Sequence, residues 1–313
     1  MADICATLVP SNDKIYKHFQ ALSEIYLIGK EKFCFPKNGP KVAKQFQDFK
    51  VREDDVGVLT FPKSGTTWME EIAYLLINDL DFDKANSTIR DMVVPYADLD
   101  VWEIGLPPKS LMEIAANLPS PRCFKLHMNL SLLPPDFATK AKIIYVCRNV
   151  KDVIISYYYF SSAMLFSQFE GSIEEFADLF MENKVPYAPH IAHVREVWER
   201  RHEKNIYFTS YEELKENQEK VIAEVAQFLN KTLSKDQIKM VADHCKFDNM
   251  KTNPATNKGY LEKSKGVIKD YKFMRKGTVG NSKTEMSPEL IEKIDKWIVE
   301  NTKDCPDLRN YLL

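Results

Sequence analysis

What this sequence lacks narrows its function first. No apolar run is long enough to span a bilayer, so no transmembrane helix is expected. The first twenty residues hold neither a basic stretch nor an apolar core, so a secretory signal is not expected either. The six cysteines (Cys5, Cys34, Cys123, Cys147, Cys245 and Cys305) are scattered without CxxC or Cys/His spacing, which argues against zinc and dithiol motifs. Cys123 and Cys147 lie in apolar runs where a thiol packs as a small hydrophobe, and a reduced, cytoplasmic setting is the expectation. A net charge of −2 gives no general attraction to nucleic acid or anionic membrane, and neither partner is expected. No Ser/Gly/Pro-rich linker, repeat or low-complexity tract divides the 313 residues, so one domain is expected. The sequons at Asn86, Asn129 and Asn230 read as chance matches without a signal peptide.

What is present is a phosphate cradle. Val56, Val58 and Leu59 read as a buried strand, and Met69, Ile72, Ala73 and Leu76 fall at helical spacing. Between them stands TFPKSGTTW, Thr60 to Trp68. A helix N-terminus offers unpaired N–H groups and a partial positive charge, Gly65 permits close backbone approach, and Lys63 adds a full charge. The Walker order is not met, because Lys63 precedes Gly65. The strand expected over Ala141–Cys147 ends in Arg148, where a magnesium-dependent NTPase would want an acid. Protein cations are therefore expected in place of a metal.

Further strands are expected over Arg122–His127 and Asn205–Tyr211, beside Val56–Phe61. Helices are expected over Trp68–Asn78, Lys151–Tyr159, Ile191–His202 and Leu214–Asn230, and a last one capped by Ser287 with Pro288 in its first turn. This alternation predicts an α/β fold with a mainly parallel central sheet flanked by helices, with ligands beyond the carboxyl ends of the strands. Residues 251–283 hold nine Lys or Arg against Glu262 and Asp270, with four interspersed glycines, as a mobile surface stretch or a lid over a polyanion would.

Strand alternation puts Lys125 and His127 on one face. An imidazole can take a proton from an acceptor hydroxyl while the ammonium stabilises charge on a transferred anionic group. Arg148 and Ser156 suit a second phosphate. His193 and His202 lie on a polar helix and read as surface residues.

These residues resemble the cytosolic sulfotransferases, which move a sulfuryl group from 3′-phosphoadenosine 5′-phosphosulfate (PAPS) to hydroxyl or amine acceptors. The resemblance runs from about Phe46 to the C-terminus and rests on five separated motifs in order: FPKSGTTW, KLHM, YVCRNVKDVIISYYYF, SYEELKEN and FMRKG. It implies an α/β domain over residues 46–313, with 1–45 as an N-terminal extension and acceptor-side segment. It implies that Lys63, Ser64, Gly65, Thr66 and Thr67 hold the 5′-phosphosulfate, with Trp68, Tyr211 and Phe247 at the adenine. Arg148, Ser156, Arg275, Lys276 and Gly277 would hold the 3′-phosphate. His127 would be the base, Lys125 and Lys63 would assist it, and Tyr96 and Phe160 would meet a small hydrophobic acceptor. The product would be adenosine 3′,5′-bisphosphate (PAP), with no metal required. Trp102, Tyr157, Tyr159, Met164 and Phe166 are further candidates for an apolar pocket.

The chain departs from the family pattern in places. Cys245 replaces a usual Thr in the adenine segment, and Gly280-Asn281-Ser282-Lys283 replaces Gly-Asp-Trp-Lys. A dimerisation motif KxxxTVxxxE maps onto Lys283 to Glu292, but its Thr-Val has become Ser287-Pro288, which puts a homodimer by that route in doubt. A protein that retains the nucleotide without turnover, and a P-loop kinase, are the alternative readings; Lys63 with His127 weighs against the first, the loop order against the second.

Overall fold

The computed structural model describes residues 4–102, 111–263, 266–268 and 270–313, so Ser264, Lys265 and Lys269 of the basic segment lie outside it. Among the described residues are seven strands: β1 (Ala6–Leu8), β2 (Ile25–Ile28), β3 (Phe33–Pro36), β4 (Val56–Leu59), β5 (Cys123–Leu126), β6 (Lys142–Cys147) and β7 (Ile206–Ser210). The last four form a parallel sheet in the order β5-β4-β6-β7, and the first three a small antiparallel sheet. The parallel α/β architecture agrees with the expectation. The antiparallel sheet was not foreseen, because its strands are three or four residues long and carry little alternation.

Period-two alternation divides the core. Val56, Val58, Cys123, Ile144 and Val146 pack with the helix Thr66–Ile77 on one face, whereas Leu59, Leu126, Ile143 and Tyr145 pack with the helix Val150–Ala163 on the other. Gly57 is needed in β4 because a Cβ there would stand 2.6 Å from the Phe137 ring. Two buried forks tie elements together: Arg122 to Asp55, just before β5 and β4, at 2.6–2.7 Å, and Arg90 to Glu71 of the helix Thr66–Ile77 at 2.6–3.1 Å. Losing one partner from such a pair costs about 3–5 kcal/mol.

Two helix expectations are corrected. The run Leu214–Asn230 is two helices, Tyr211–Glu216 and Gln218–Phe228, broken where Asn217 leaves helical geometry at φ −128° and ψ 48°. The helix His190–Trp198 stops before His202, which is exposed in the following turn. Ser287 and Pro288 start the last helix, Pro288–Asn301, with the Ser287 hydroxyl accepting from Leu290 N–H at 3.2 Å. No helix among the described residues is long and apolar enough to cross a membrane.

Candidate active site

Beyond Leu59 the chain turns sharply through residues 60–65 into the helix Thr66–Ile77. Lys63 adopts φ 72° and Gly65 φ 107°, both left-handed, and a side chain at 65 would meet the Tyr211 ring at 2.8 Å. Gly65, Thr66 and Thr67 line a cavity at the strand ends, at the open N-terminus of the helix Thr66–Ile77. Ser64 does not line it: the residue is fully buried and its hydroxyl has no hydrogen-bond partner. The Lys63 ammonium sits between the rings of Phe160 and Phe273, 4.6 and 4.3 Å from their centroids. Burial, then the charges of Lys125, Arg148, Lys258 and Arg275, push its pKa down to about 7.

His127 follows β5 and is held on three sides. Its Nδ1 lies 2.8 Å from the Thr60 carbonyl; a carbonyl only accepts, so Nδ1 carries the proton and Nε2 the lone pair. Its backbone N–H donates to both oxygens of buried Asp98, at 3.0 and 3.2 Å. Its backbone carbonyl accepts from His193 Nε2 at 2.9 Å, and His193 Nδ1 in turn accepts from the Tyr145 hydroxyl at 2.8 Å. His193 is therefore not a surface residue: it is 1% exposed, and burial pushes its pKa down to about 4. Burial, then Lys125, holds His127 well below the usual imidazole range, so it stays neutral at neutral pH. Burial pushes the Asp98 carboxyl up to about 7.

One end of the cavity is cationic. Arg148 donates to the Lys63 carbonyl at 3.2 Å and the Thr278 carbonyl at 3.1 Å, tying the phosphate loop to the basic segment. Its guanidinium lies 4.3 Å from the Tyr211 centroid, and Trp68 meets Tyr211 edge-on at 5.6 Å. Ser156, Cys245, Phe247, Arg275, Lys276 and Gly277 complete this end. Phe247 packs against Gly277, where a Cβ would stand 2.2 Å from its ring. Arg275 and Lys276 both pair with Glu285, at 2.9 and 2.7 Å. The residues fit a bisphosphorylated, sulfated nucleotide: cations converge on an aromatic slot, and Trp68 Nε1 and Arg148 Nε, on residues that line it, are buried without hydrogen-bond partners. Among the described residues no group of three or more His, Cys, Asp or Glu is placed to hold a metal ion.

The other end is aromatic. Tyr96, Leu99, Trp102, Tyr157, Phe160 and Phe166 line it, whereas Tyr159 is 40% exposed against Arg275 and Met164 is buried outside it. Sequence reasoning missed Tyr187, whose hydroxyl lies 2.7 Å from that of Tyr96 and whose ring is 5.8 Å from His127. The signal was present in Pro186 and Pro189, which mark a turn that aims the side chain inward. Phe273 and Met274 were also missed as cavity residues, although both belong to the FMRKG segment.

A glycine turn at a helix N-terminus, a neutral imidazole and a cationic slot meet at the ends of a parallel sheet, an arrangement suited to a group-transfer enzyme. The sulfotransferase domain family matches residues 53–306, and the chain belongs to that family: it is a sulfotransferase that uses PAPS as its donor. Sulfotransferase 1B1 of Mus musculus is 35% identical over 253 residues, 80% of this chain and 84% of the relative. Sulfotransferase 1E1 of Homo sapiens is 35% identical over 257 residues, 82% and 86% of the two chains. Among solved structures, a retinol dehydratase in complex with androsterone and the inactive cofactor PAP superposes with a TM-score of 0.87 at 26% identity, covering 96% of each chain.

Proposed function

We propose that this sulfotransferase acts on the hydroxyl of a small hydrophobic acceptor, a phenol, sterol or alcohol, with His127 as general base. One observation carries the reading: Nδ1 of His127 is committed to the Thr60 carbonyl, which leaves Nε2 as a lone-pair nitrogen on a residue lining the cavity beside Lys125. PAPS supplies the sulfuryl group for an in-line displacement and leaves as PAP. His127 Nε2 takes the acceptor proton. Lys63 stabilises charge on the departing phosphate, and Lys125 stabilises charge on the transferred group. Ser64, Gly65, Thr66 and Thr67 form the phosphate loop around Lys63, Ser64 from beneath it.

Trp68, Tyr211 and Phe247 would flank the adenine, with Arg148, Ser156, Arg275, Lys276 and Gly277 around the 3′-phosphate. Tyr96 and Phe160 would face the acceptor. The aromatic lining supports a hydrophobic acceptor, and retinol and androsterone, bound in structures of the related dehydratase, are alcohols of that character. The test is transfer of labelled sulfate from PAPS to a panel of phenols, sterols and aliphatic alcohols, beside an arm with ATP and Mg²⁺. Turnover is expected with PAPS and an apolar hydroxyl compound. Transfer confined to amines or to polar sugars would sink the acceptor assignment.

A further inference from the structure

Four charges lie together on the sheet face that packs against the phosphate-loop helix, and the mechanism above uses only one of them. Lys125 in β5 points to that face because β5 alternates, and its ammonium is 3.6 Å from Glu70. Glu70 projects from the helix Thr66–Ile77 and is fully buried, and neither of its oxygens accepts a hydrogen bond. Its second oxygen is 4.0 Å from the ammonium of Lys258, from the basic segment. Lys258 is 6% exposed, adopts φ 56°, and pairs with Asp91, which also accepts from the Tyr260 hydroxyl. Two ammoniums thus face two carboxylates, with Glu70 shared between Lys125 and Lys258.

A buried carboxylate that makes no hydrogen bond attracts whichever cation it can reach, because little water screens it. With Lys258 in place, Glu70 divides its attraction and Lys125 stays clear of hydrogen-bond distance. Without Lys258, Glu70 and Asp91 would both act on Lys125 and hold it as a neutralised ion pair. We propose that Lys258 is a positioning residue for Lys125: docked against Asp91, it offsets Glu70 and leaves the Lys125 ammonium available to the transferred group. This rests on the role given above to Lys125. It makes the rate depend on the seating of residues 258–260, none of which lines the cavity.

The test compares the wild type with Lys258→Met, Lys258→Met/Glu70→Gln and Lys125→Met, measuring kcat and the PAP dissociation constant by calorimetry. Lys258→Met should lower kcat about tenfold or more, by robbing the transition state of much of one charge, while PAP affinity stays within about twofold. Adding Glu70→Gln should bring kcat back to within about threefold of wild type, because the acid nearest to Lys125 is then gone and Asp91 alone holds it less firmly. That double variant keeps one lysine opposite one acid, so it carries the test if the single variant fails to fold. Full activity in Lys258→Met, or no recovery in the double variant, would overturn the proposal; no recovery is the result if Lys258 itself touches the reacting group. A slow Lys125→Met enzyme beside a fast Lys258→Met one sinks this inference alone. A fast Lys125→Met enzyme sinks the role of Lys125, and this inference with it.

Discussion

At the strand ends His127 is fixed by hydrogen bonds to Asp98 and Thr60 and from His193, all buried and all within the protein. In the basic segment Arg275 and Lys276 are instead held by one carboxylate, Glu285, and both cations are partly exposed. The two regions border the same cavity but differ in what can displace their partners. A phosphate can replace Glu285 opposite Arg275, because it offers the same charge and more acceptor oxygens. Nothing that enters the cavity replaces the Thr60 carbonyl. On the roles proposed above, the base would be set before any ligand arrives, whereas the anion clamp would be set by exchange.

Removing the fixed side should have the largest effect. His127→Ala is expected to lower kcat about 10²–10⁴-fold, the usual contribution of a general base, with PAP affinity nearly unchanged. Steady-state kinetics beside calorimetry separates the two, and near-normal turnover would make His127 a structural residue. On the exchangeable side, Arg275→Ala should weaken PAP by about 1.5–3 kcal/mol and adenosine 5′-phosphate much less. Glu285→Gln should act in the opposite sense and tighten PAP, since the clamp would no longer have to release its own carboxylate. Equal losses for both nucleotides in Arg275→Ala would remove the 3′-phosphate from its role.

Asp98→Ala sharpens the contrast from below. It strands the buried N–H of His127, so a loss of about 1–3 kcal/mol in stability is expected, read as a lower Tm. No change in Tm would mean that the backbone clamp contributes nothing measurable.

A pH effect follows from Lys63, whose pKa burial and neighbouring cations bring down to about 7. The free protein loses this proton as pH rises through about 7, and an anionic ligand restores it. PAP binding should therefore take up a fraction of a proton at pH 8 and almost none at pH 6, and PAP affinity should fall as pH rises across that window. Calorimetry in buffers of different ionisation enthalpy measures the uptake, and its persistence in Lys63→Met would assign it elsewhere. The smallest expected change is in amide exchange: Tyr271–Lys283 should gain protection with PAP while β5 does not. Equal behaviour of the two would erase the comparison.

How much of this could be read from the sequence depended on how local each feature is. The strand-to-helix turn at TFPKSGTTW was legible because it sits in nine consecutive residues between a strand and a helix pattern. The four parallel strands were legible to within one or two residues at each end, because each is largely buried and mostly apolar. His193 was not legible: it stands among Arg195, Glu196 and Glu199, and only the fold brings it under the carbonyl of a residue 66 positions away. Asp98 and the Glu70–Lys258 approach were hidden for the same reason. The break at Asn217 lacks a Gly or Pro to announce it.

The four tryptophans have an optical consequence. Trp68 borders the cationic end of the cavity and Trp102 the aromatic end, while Trp198 and Trp297 do not line it. The Trp68 indole N–H is buried without an acceptor, so its emission responds to whatever polar group arrives beside it. Trp102 packs 4.7 Å from Phe166, where an apolar guest would displace water from a second chromophore. In Trp68→Phe only Trp102 of the remaining tryptophans lines the cavity, so a ligand-dependent change in intrinsic fluorescence reports its aromatic end.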